Sequence, residues 1–257
     1  MSDRRRVGVI HIHSDYSHDG RDSLEMLRRW ASVRGIGFVG LTDHAEDFEQ
    51  ATFARYQAEC AALSDGSVQM LPGLEWRFAG YRGLHLLALG LSRWIEPRTP
   101  EEFLALTADN AQFTIVAHPI LCDYQVPTAV LAGTNAIEVW NAGYNTRYLP
   151  DPRAIRLYQA AARGRPGLVA TAGLDQHDCR NDREIRVRLT SPGGTDPLGA
   201  LRAGAFENQG RYWRFGSRLR WGWAALAGLQ MLRVGFDGVE RIQDRASHAL
   251  RRLKARR

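Results

Sequence analysis

Ten residues, HIHSDYSHDG at positions 11–20, hold three of the eight histidines together with Asp15 and Asp19. They follow directly on the apolar run VGVI at 7–10. On a strand, side chains two apart project from the same side, so His11 and His13 would offer two imidazoles to one space. Five further segments place a chemistry-bearing residue at, or just past, the end of an apolar run. LTDH supplies Asp43 and His44, PGLEW supplies Glu75, LHLL supplies His85, VAHP supplies His118, and AGLDQHD supplies Asp175 and His177. Six of the eight histidines, all except His18 and His248, stand in this way.

A single histidine at a strand end is most often structural, but six together with carboxylates point to metal. Neutral imidazole and carboxylate suit zinc, iron and manganese, with carboxylate weighting the choice towards the harder ions. Nine converging ligands are too many for one ion and fit two or three divalent ions sharing a bridging carboxylate. Such a centre implies hydrolysis. Metal acidifies water into a nucleophile at neutral pH, and paired ions clamp the attacking and leaving oxygens at phosphorus.

The elements that must position these groups alternate. VGVIHIH reads as a strand and SLEMLRRWASVRG as a helix with Ser23 as N-cap and Gly35 past its end. IGFVGLTDH is a second strand and residues near 47–63 a second helix. VQMLPGLEW and LHLLALG are strands three and four, with no room for a helix between them. Short helices near 99–109 and 126–132 lead to the strands FTIVAHP and AIEVWN. DPRAIRLYQAAARG is a helix with Pro152 in its first turn, GLVATAGLDQH a seventh strand and EIRVRLT an eighth. Alternation predicts a mostly parallel α/β architecture, and continuous apolar strands fit a sheet buried on both faces. Every polar cluster falls at the C-terminal end of its strand, the face where catalytic groups collect in barrels, so a closed or distorted α/β barrel is expected over an open sheet.

As a set, HIHSDYSHDG, LTDHAE, PGLEW, LHLLALG, VAHP and AGLDQH resemble, in order and rough spacing, the motifs of the PHP (polymerase and histidinol phosphatase) family. The resemblance covers roughly residues 7–205, since LGALRAGAF looks like that family's closing helix. It implies a distorted seven-stranded α/β barrel and a metal-dependent phosphoesterase. It further implies one metal held by His11, His13, Glu75 and Asp175, a second by the bridging Glu75 with His85 and His118, and a third by Asp19, His44 and His177. Asp19 is favoured over its neighbour His18 as the ligand after His-x-His. Glu75, His44 and His177 are the expected catalytic residues, with His44 or His177 steadying the leaving group. The expected cofactors are two or three ions of manganese, zinc or iron.

A phosphate is normally oriented by arginine. Arg77, Arg147 and Arg180, with Asn141 and Tyr144 past the sixth strand, are the candidate substrate contacts. The substrate class is a phosphorylated small molecule or a nucleotide. A nuclease acting on oligonucleotide ends and a non-enzymatic metal-stabilised scaffold are the competing readings. A barrel that bridges its metals with a carbamylated lysine is excluded by composition, because Lys254 in the tail is the only lysine.

At 257 residues the chain can bury one sizeable core. Cys60, Cys122 and Cys179 are far apart and odd in number, which argues against a disulfide framework and for a reducing, cytoplasmic setting. The N-terminus has no apolar h-region, so no signal peptide is expected. The net charge of +6 belongs to the tail: residues 211–257 hold twelve basic against three acidic residues, and 1–210 hold 22 against 25. Residues 206–257 are therefore expected to form a basic, Trp/Arg-rich helical extension, with helices at 217–235 and 237–256 and RYWRF as a strand or turn. It is either an amphipathic pair docked on the barrel or a contact for nucleic acid or an anionic membrane.

Overall fold

The apolar runs become strands and the segments between them helices in the computed structural model, which describes residues 7–145, 148–190 and 196–236. The strands are β1 (Val7–Ile12), β2 (Phe38–Leu41), β3 (Asp43–His44), β4 (Gln69–Leu71), β5 (Gly73–Arg77) and β6 (His85–Leu89). They continue as β7 (Phe113–Ala117), β8 (Ala136–Asn141), β9 (Val169–Gly173), β10 (Arg186–Leu189), β11 (Phe206–Gln209) and β12 (Arg214–Gly216). The helices are α1 (Leu24–Val33), α2 (Gln50–Leu63), α3 (Pro100–Thr107), α4 (Thr128–Gly133), α5 (Pro152–Ala162) and α6 (Pro197–Ala203). Their starts follow from local chemistry. The Ser23 hydroxyl accepts the Met26 N–H, and the Asp151 carboxylate caps α5 with Pro152 at its first position.

Through Leu219 the chain forms one compact unit built on two six-stranded sheets. The first runs β12-β11-β10-β1-β2-β4 and the second β3-β5-β6-β7-β8-β9. The chain passes between them at Thr42, separating β2 from β3, and at Pro72, separating β4 from β5. Proline has no N–H to give a ladder, so Pro72 breaks the strand where it stands. On the other side, past β9, the Leu174 N–H donates to the Ile10 carbonyl at 3.0 Å and the His13 N–H to the Gln176 carbonyl at 2.9 Å. Backbone pairing thus leads from β1 through β2/β3, β4/β5, β6, β7, β8 and β9 and returns to β1.

The α/β class stands, but the sheets are mixed rather than mostly parallel. Five pairings are parallel (β1–β2, β2–β4, β3–β5, β7–β8 and β8–β9) and five are antiparallel. β5 and β6 are joined without a crossover helix, through a turn in which Gly80 and Gly83 adopt φ of +83° and +70°, and a short connection forces antiparallel pairing. The interior is filled from β1, β2, β6, β7, β9 and β10, with Ile10, Phe38, Leu87, Phe113 and Val187 in one cluster. α6 adds Leu198 and Leu201 to that cluster. Each such side chain contributes roughly 1.5–3 kcal/mol on burial.

Past residue 205 the chain is not purely helical. β11 and β12 extend the first sheet from β10 as an antiparallel pair, because FENQ and RFG alternate buried and more exposed side chains. A second compact unit begins at Arg220, and within it residues 223–236 are helical. The helix expected at 237–256 lies outside the described residues.

Candidate metal centre

The site forms where β1, β3, β5 and β7 end, beside the segment after β9; the antiparallel β6 begins there, so His85 opens its strand and does not stand at a C-terminal end as expected. β1 does not reach it as a regular strand. His11 has φ of +65°, and the register against β2 shifts between Ile10 and Ile12. This bulge re-aims the side chain. His11 and His13 do share one space, with ring centroids 5.3 Å apart, although alternation along an ideal strand is not the reason. His118 and Asp175 also have positive φ, +21° and +49°. Backbone strain at three of the nine candidate ligands costs on the order of 1–3 kcal/mol each and is held by the surrounding fold.

Glu75 is the hub. Its Oε1 lies 2.7 Å from His85 Nδ1 and 3.2 Å from His118 Nε2. Its Oε2 lies 3.3 Å from His44 Nδ1, 3.4 Å from His13 Nε2 and 3.6 Å from His11 Nε2. Asp175 Oδ1 is 3.5 Å from His13 Nε2, 3.6 Å from His11 Nε2 and 3.8 Å from His177 Nδ1. Asp19 Oδ2 sits between His44 Nε2 at 3.2 Å and His177 Nε2 at 3.3 Å. All nine candidate ligands therefore converge. Three groups bring their donor atoms within 4.8 Å of one another: His13, Asp19, His44 and His177; His11, Glu75 and His118; and His11, His13 and Asp175. His18 lies at the rim instead, 55 % exposed with its ring 5.4 Å from that of His44, and its Nδ1–H and backbone N–H both donate to Asp47.

These residues fit divalent cations on two physical grounds. The buried nitrogens His11 Nε2, His13 Nδ1 and Nε2, His44 Nδ1 and His118 Nδ1 have no hydrogen-bond partner among the described residues, and a buried polar atom in that state is costly unless something is bound to it. The charges point the same way. Burial works against ionisation of Glu75, but His11, His118 and His85 outweigh it and hold the carboxyl well below its usual range. Asp175 is lowered likewise, against burial, by His11, His13 and His118. Burial also opposes a charge on His11, yet Glu138, Asp175 and Glu75 raise its pKa well above the ordinary value. The clustered carboxylates thus demand positive charge, which protons on imidazole or bound cations can provide. At the mouth, burial and the neighbouring His13 lower both His44 and His177, favouring the neutral ligand form.

Two buried acids outside the nine candidate ligands hold those ligands in place. Glu138, buried on β8, takes the His11 Nδ1–H at 2.9 Å and the His118 backbone N–H at 2.8 Å. Asp43, on β3 beside His44, accepts from the Ser14 N–H at 2.6 Å and from the Ser17 hydroxyl at 2.9 Å. It thereby fixes the loop that carries Asp19. The available signal for Glu138 was an acid inside the otherwise apolar AIEVW, a place that demands a partner.

The expected substrate contacts divide. Tyr144 is partly exposed, its ring 4.8 Å from that of His118. Arg77 pairs with Glu46 and Arg180 with Asp178, both near the rim. Asn141 is fully buried: its amide donates to Glu138 Oε2 at 2.8 Å and lies 3.4 Å from Asp175 Oδ2, and its oxygen accepts from the Gly143 and Tyr144 N–H groups. These bonds shape the turn after β8. Arg147 lies outside the described residues. An open cleft of about 400 Å³ borders the mouth, lined by Asp19, Arg21, Asp175, His177 and Arg183 among others; Arg183 is held there by donating to the Ala142 carbonyl.

The PHP domain family matches residues 10–125, a stretch that contains seven of the nine candidate ligands, His11 through His118. Asp175 and His177 lie beyond it. Among solved structures, the chain is similar to an amidohydrolase from Chromobacterium violaceum with bound sulfate and no metal, at 15 % identity and a TM-score of 0.48, over 77 % of this chain and 96 % of that one. It is also similar to a suggested metal-dependent phosphoesterase from Bifidobacterium adolescentis, at 16 % identity and a TM-score of 0.46, over 66 % of this chain and 87 % of that one. No curated protein matches the chain.

Proposed function

We propose, from the PHP domain match over residues 10–125 together with the ligand geometry, that this chain is a metal-dependent hydrolase acting on a phosphoester. The observation that carries the reading is Glu75, a buried carboxylate with five imidazole nitrogens within 3.6 Å. Two or three ions of manganese, zinc or iron would be held by His11, His13, Glu75 and Asp175, by Glu75, His85 and His118, and by Asp19, His44 and His177. When bound, such ions supply Lewis-acid activation of water and neutralise charge on phosphoryl oxygens.

The chain's own residues prepare the site for that chemistry. Glu138 fixes the ring orientation of His11, as outer partners of metal-binding imidazoles do. Asp43 and Ser17 hold the 14–20 loop, and with it Asp19, against His44. His177 and His44 stand at the open side, where a leaving oxygen would be steadied. Arg77, Arg180 and Tyr144 line the approach for the phosphate and its substituent. The substrate is a phosphomonoester on a small molecule or a nucleotide. A panel of phosphomonoesters assayed beside end-labelled oligonucleotides, with each metal in turn, tests this. Turnover confined to oligonucleotides would replace the monoesterase reading with a nuclease, and no turnover on either would favour a scaffold.

A further inference from the structure

The cleft beside the candidate metal centre carries an arginine that no acid neutralises among the described residues. Its wall holds Asp19, Asp175 and His177 together with two arginines, Arg21 and Arg183. The acids there are already committed. Asp19 and Asp175 are candidate metal ligands, and Asp178 takes the Arg180 Nε–H at 3.0 Å and Nη2–H at 2.6 Å. Arg21 Nη1 lies 3.8 Å from Asp178 Oδ2, beyond hydrogen-bond reach. Arg183 is exposed and donates from Nη1 to the Ala142 carbonyl, a neutral group. Among the described residues no carboxylate pairs with Arg183, and the rest of its five N–H donors have no partner.

The other arginines near the mouth differ on both counts. Arg77 pairs with Glu46, Arg180 pairs with Asp178, and neither lines the cleft. Arg183 is also held in place before any ligand arrives. Its neighbour Asp182 accepts from the Arg34 and Arg186 side chains and from the Glu184 N–H, which fixes the turn leading into β10. The Ala142 carbonyl, next to Gly143 of the same cleft, holds the guanidinium itself. A cation preset in this way loses little side-chain freedom on binding, and its planar fork matches the oxygens of a phosphate. We propose that Arg183 positions the substrate phosphate in this cleft, its free N–H groups donating to phosphoryl oxygens beside Asp19 and His177. Arg77 and Arg180, each held by an acid, are left to the outer approach. This role rests on the phosphoester reading of the same site.

The test measures binding of inorganic phosphate to the manganese-loaded full chain by calorimetry, beside steady-state hydrolysis of a phosphomonoester. Arg183→Gln should weaken phosphate binding about 10–100-fold, the range for hydrogen bonds to a charged group, and raise KM more than it lowers kcat. Arg183→Lys keeps the charge and loses the fork, so it should fall between the parent and Arg183→Gln. Arg29→Gln removes one exposed charge from α1 and should stay within about twofold of the parent. Melting temperature and manganese content should stay close to the parent's in all three variants. Phosphate affinity unchanged in Arg183→Gln would overturn the role. So would lower melting or metal content in Arg183→Gln and Arg183→Lys alike, which would make Arg183 a clamp on the turn after β8. Phosphate binding that depends on Arg183, without turnover of any ester, would sink the hydrolase reading and keep this role. Turnover by a chain whose phosphate binding ignores Arg183 would do the reverse.

Discussion

Glu138 Oε1 accepts the Nδ1–H of His11 at 2.9 Å, and neither side chain is exposed to solvent. A residue outside all three candidate ligand groups therefore sets which nitrogen of His11 faces Glu75 and Asp175. Glu138→Gln keeps the shape and removes the charge. It should weaken manganese or zinc binding by about 10–100-fold, the range for outer partners of metal-bound imidazoles. Competition against a chromogenic chelator measures this, and an unchanged affinity would mean that other contacts orient His11.

Gly173 makes the same arrangement testable from the backbone. A Cβ there would lie 1.8 Å from Glu138 Oε1 and 2.9 Å from His11 Cβ. Gly173→Ala should push Glu138 off His11, lowering metal content and costing about 1–3 kcal/mol of stability. Gly164→Ala, with nothing within 4 Å of the added atom, is the control and should leave metal content unchanged. Metal analysis beside thermal melts reads both effects.

Much of this arrangement was readable before the fold was known, because ligand chemistry is carried by residue type. A single His at a strand end is usually structural, but six of them beside carboxylates are not, and the nine candidate ligands do meet. Boundaries of α1 and α5 were readable because Ser23 and Asp151 cap locally. What the sequence concealed depends on long-range pairing. The missing helix between β5 and β6 already implies their antiparallel pairing, but nothing local indicates that β1 bulges at His11, that β7 pairs antiparallel with β6, or that FENQ and RFG join the first sheet. Asn141 reads like a loop-end substrate contact, yet its burial follows from Glu138 three residues earlier, whose carboxylate needs donors.

Asp182 provides a pH test away from the metal ligands. Its Oδ2 accepts from Arg186 at 2.7 Å and Arg34 at 2.8 Å, and its Oδ1 from the Glu184 N–H at 2.9 Å. Burial opposes the charge, but these partners outweigh it and hold the carboxyl below the usual range. A depressed carboxyl stabilises the fold fully above the unfolded value of about 3.9, and the contribution is lost as pH falls through the folded value. Asp182→Asn should thus cost about 1–3 kcal/mol at neutral pH. The gap in melting temperature from the parent should close in acid below the folded pKa. A gap that stayed constant with pH would assign the loss to packing.

For the ligand after His-x-His the geometry favours Asp19, which lies 3.2 Å from His44 and 3.3 Å from His177 while His18 binds Asp47. Asp19→Asn should lower metal-dependent turnover on the order of 100-fold, at least matching loss of an outer partner. His18→Ala should change it by less than about threefold, since His18 is 55 % exposed and makes only a rim contact. The reverse order in steady-state rates would move the ligand to His18.

The account turns on Glu75 as the shared ligand of a metal-dependent hydrolytic centre. The most direct measurement strips the purified chain with chelator and assays phosphomonoester hydrolysis on adding back manganese, zinc or iron, for the parent and for Glu75→Ala. The account predicts an inactive stripped protein, activity restored in the parent by at least one metal, and none restored in the variant. Turnover that survives stripping, or full metal-dependent turnover by Glu75→Ala, would contradict it.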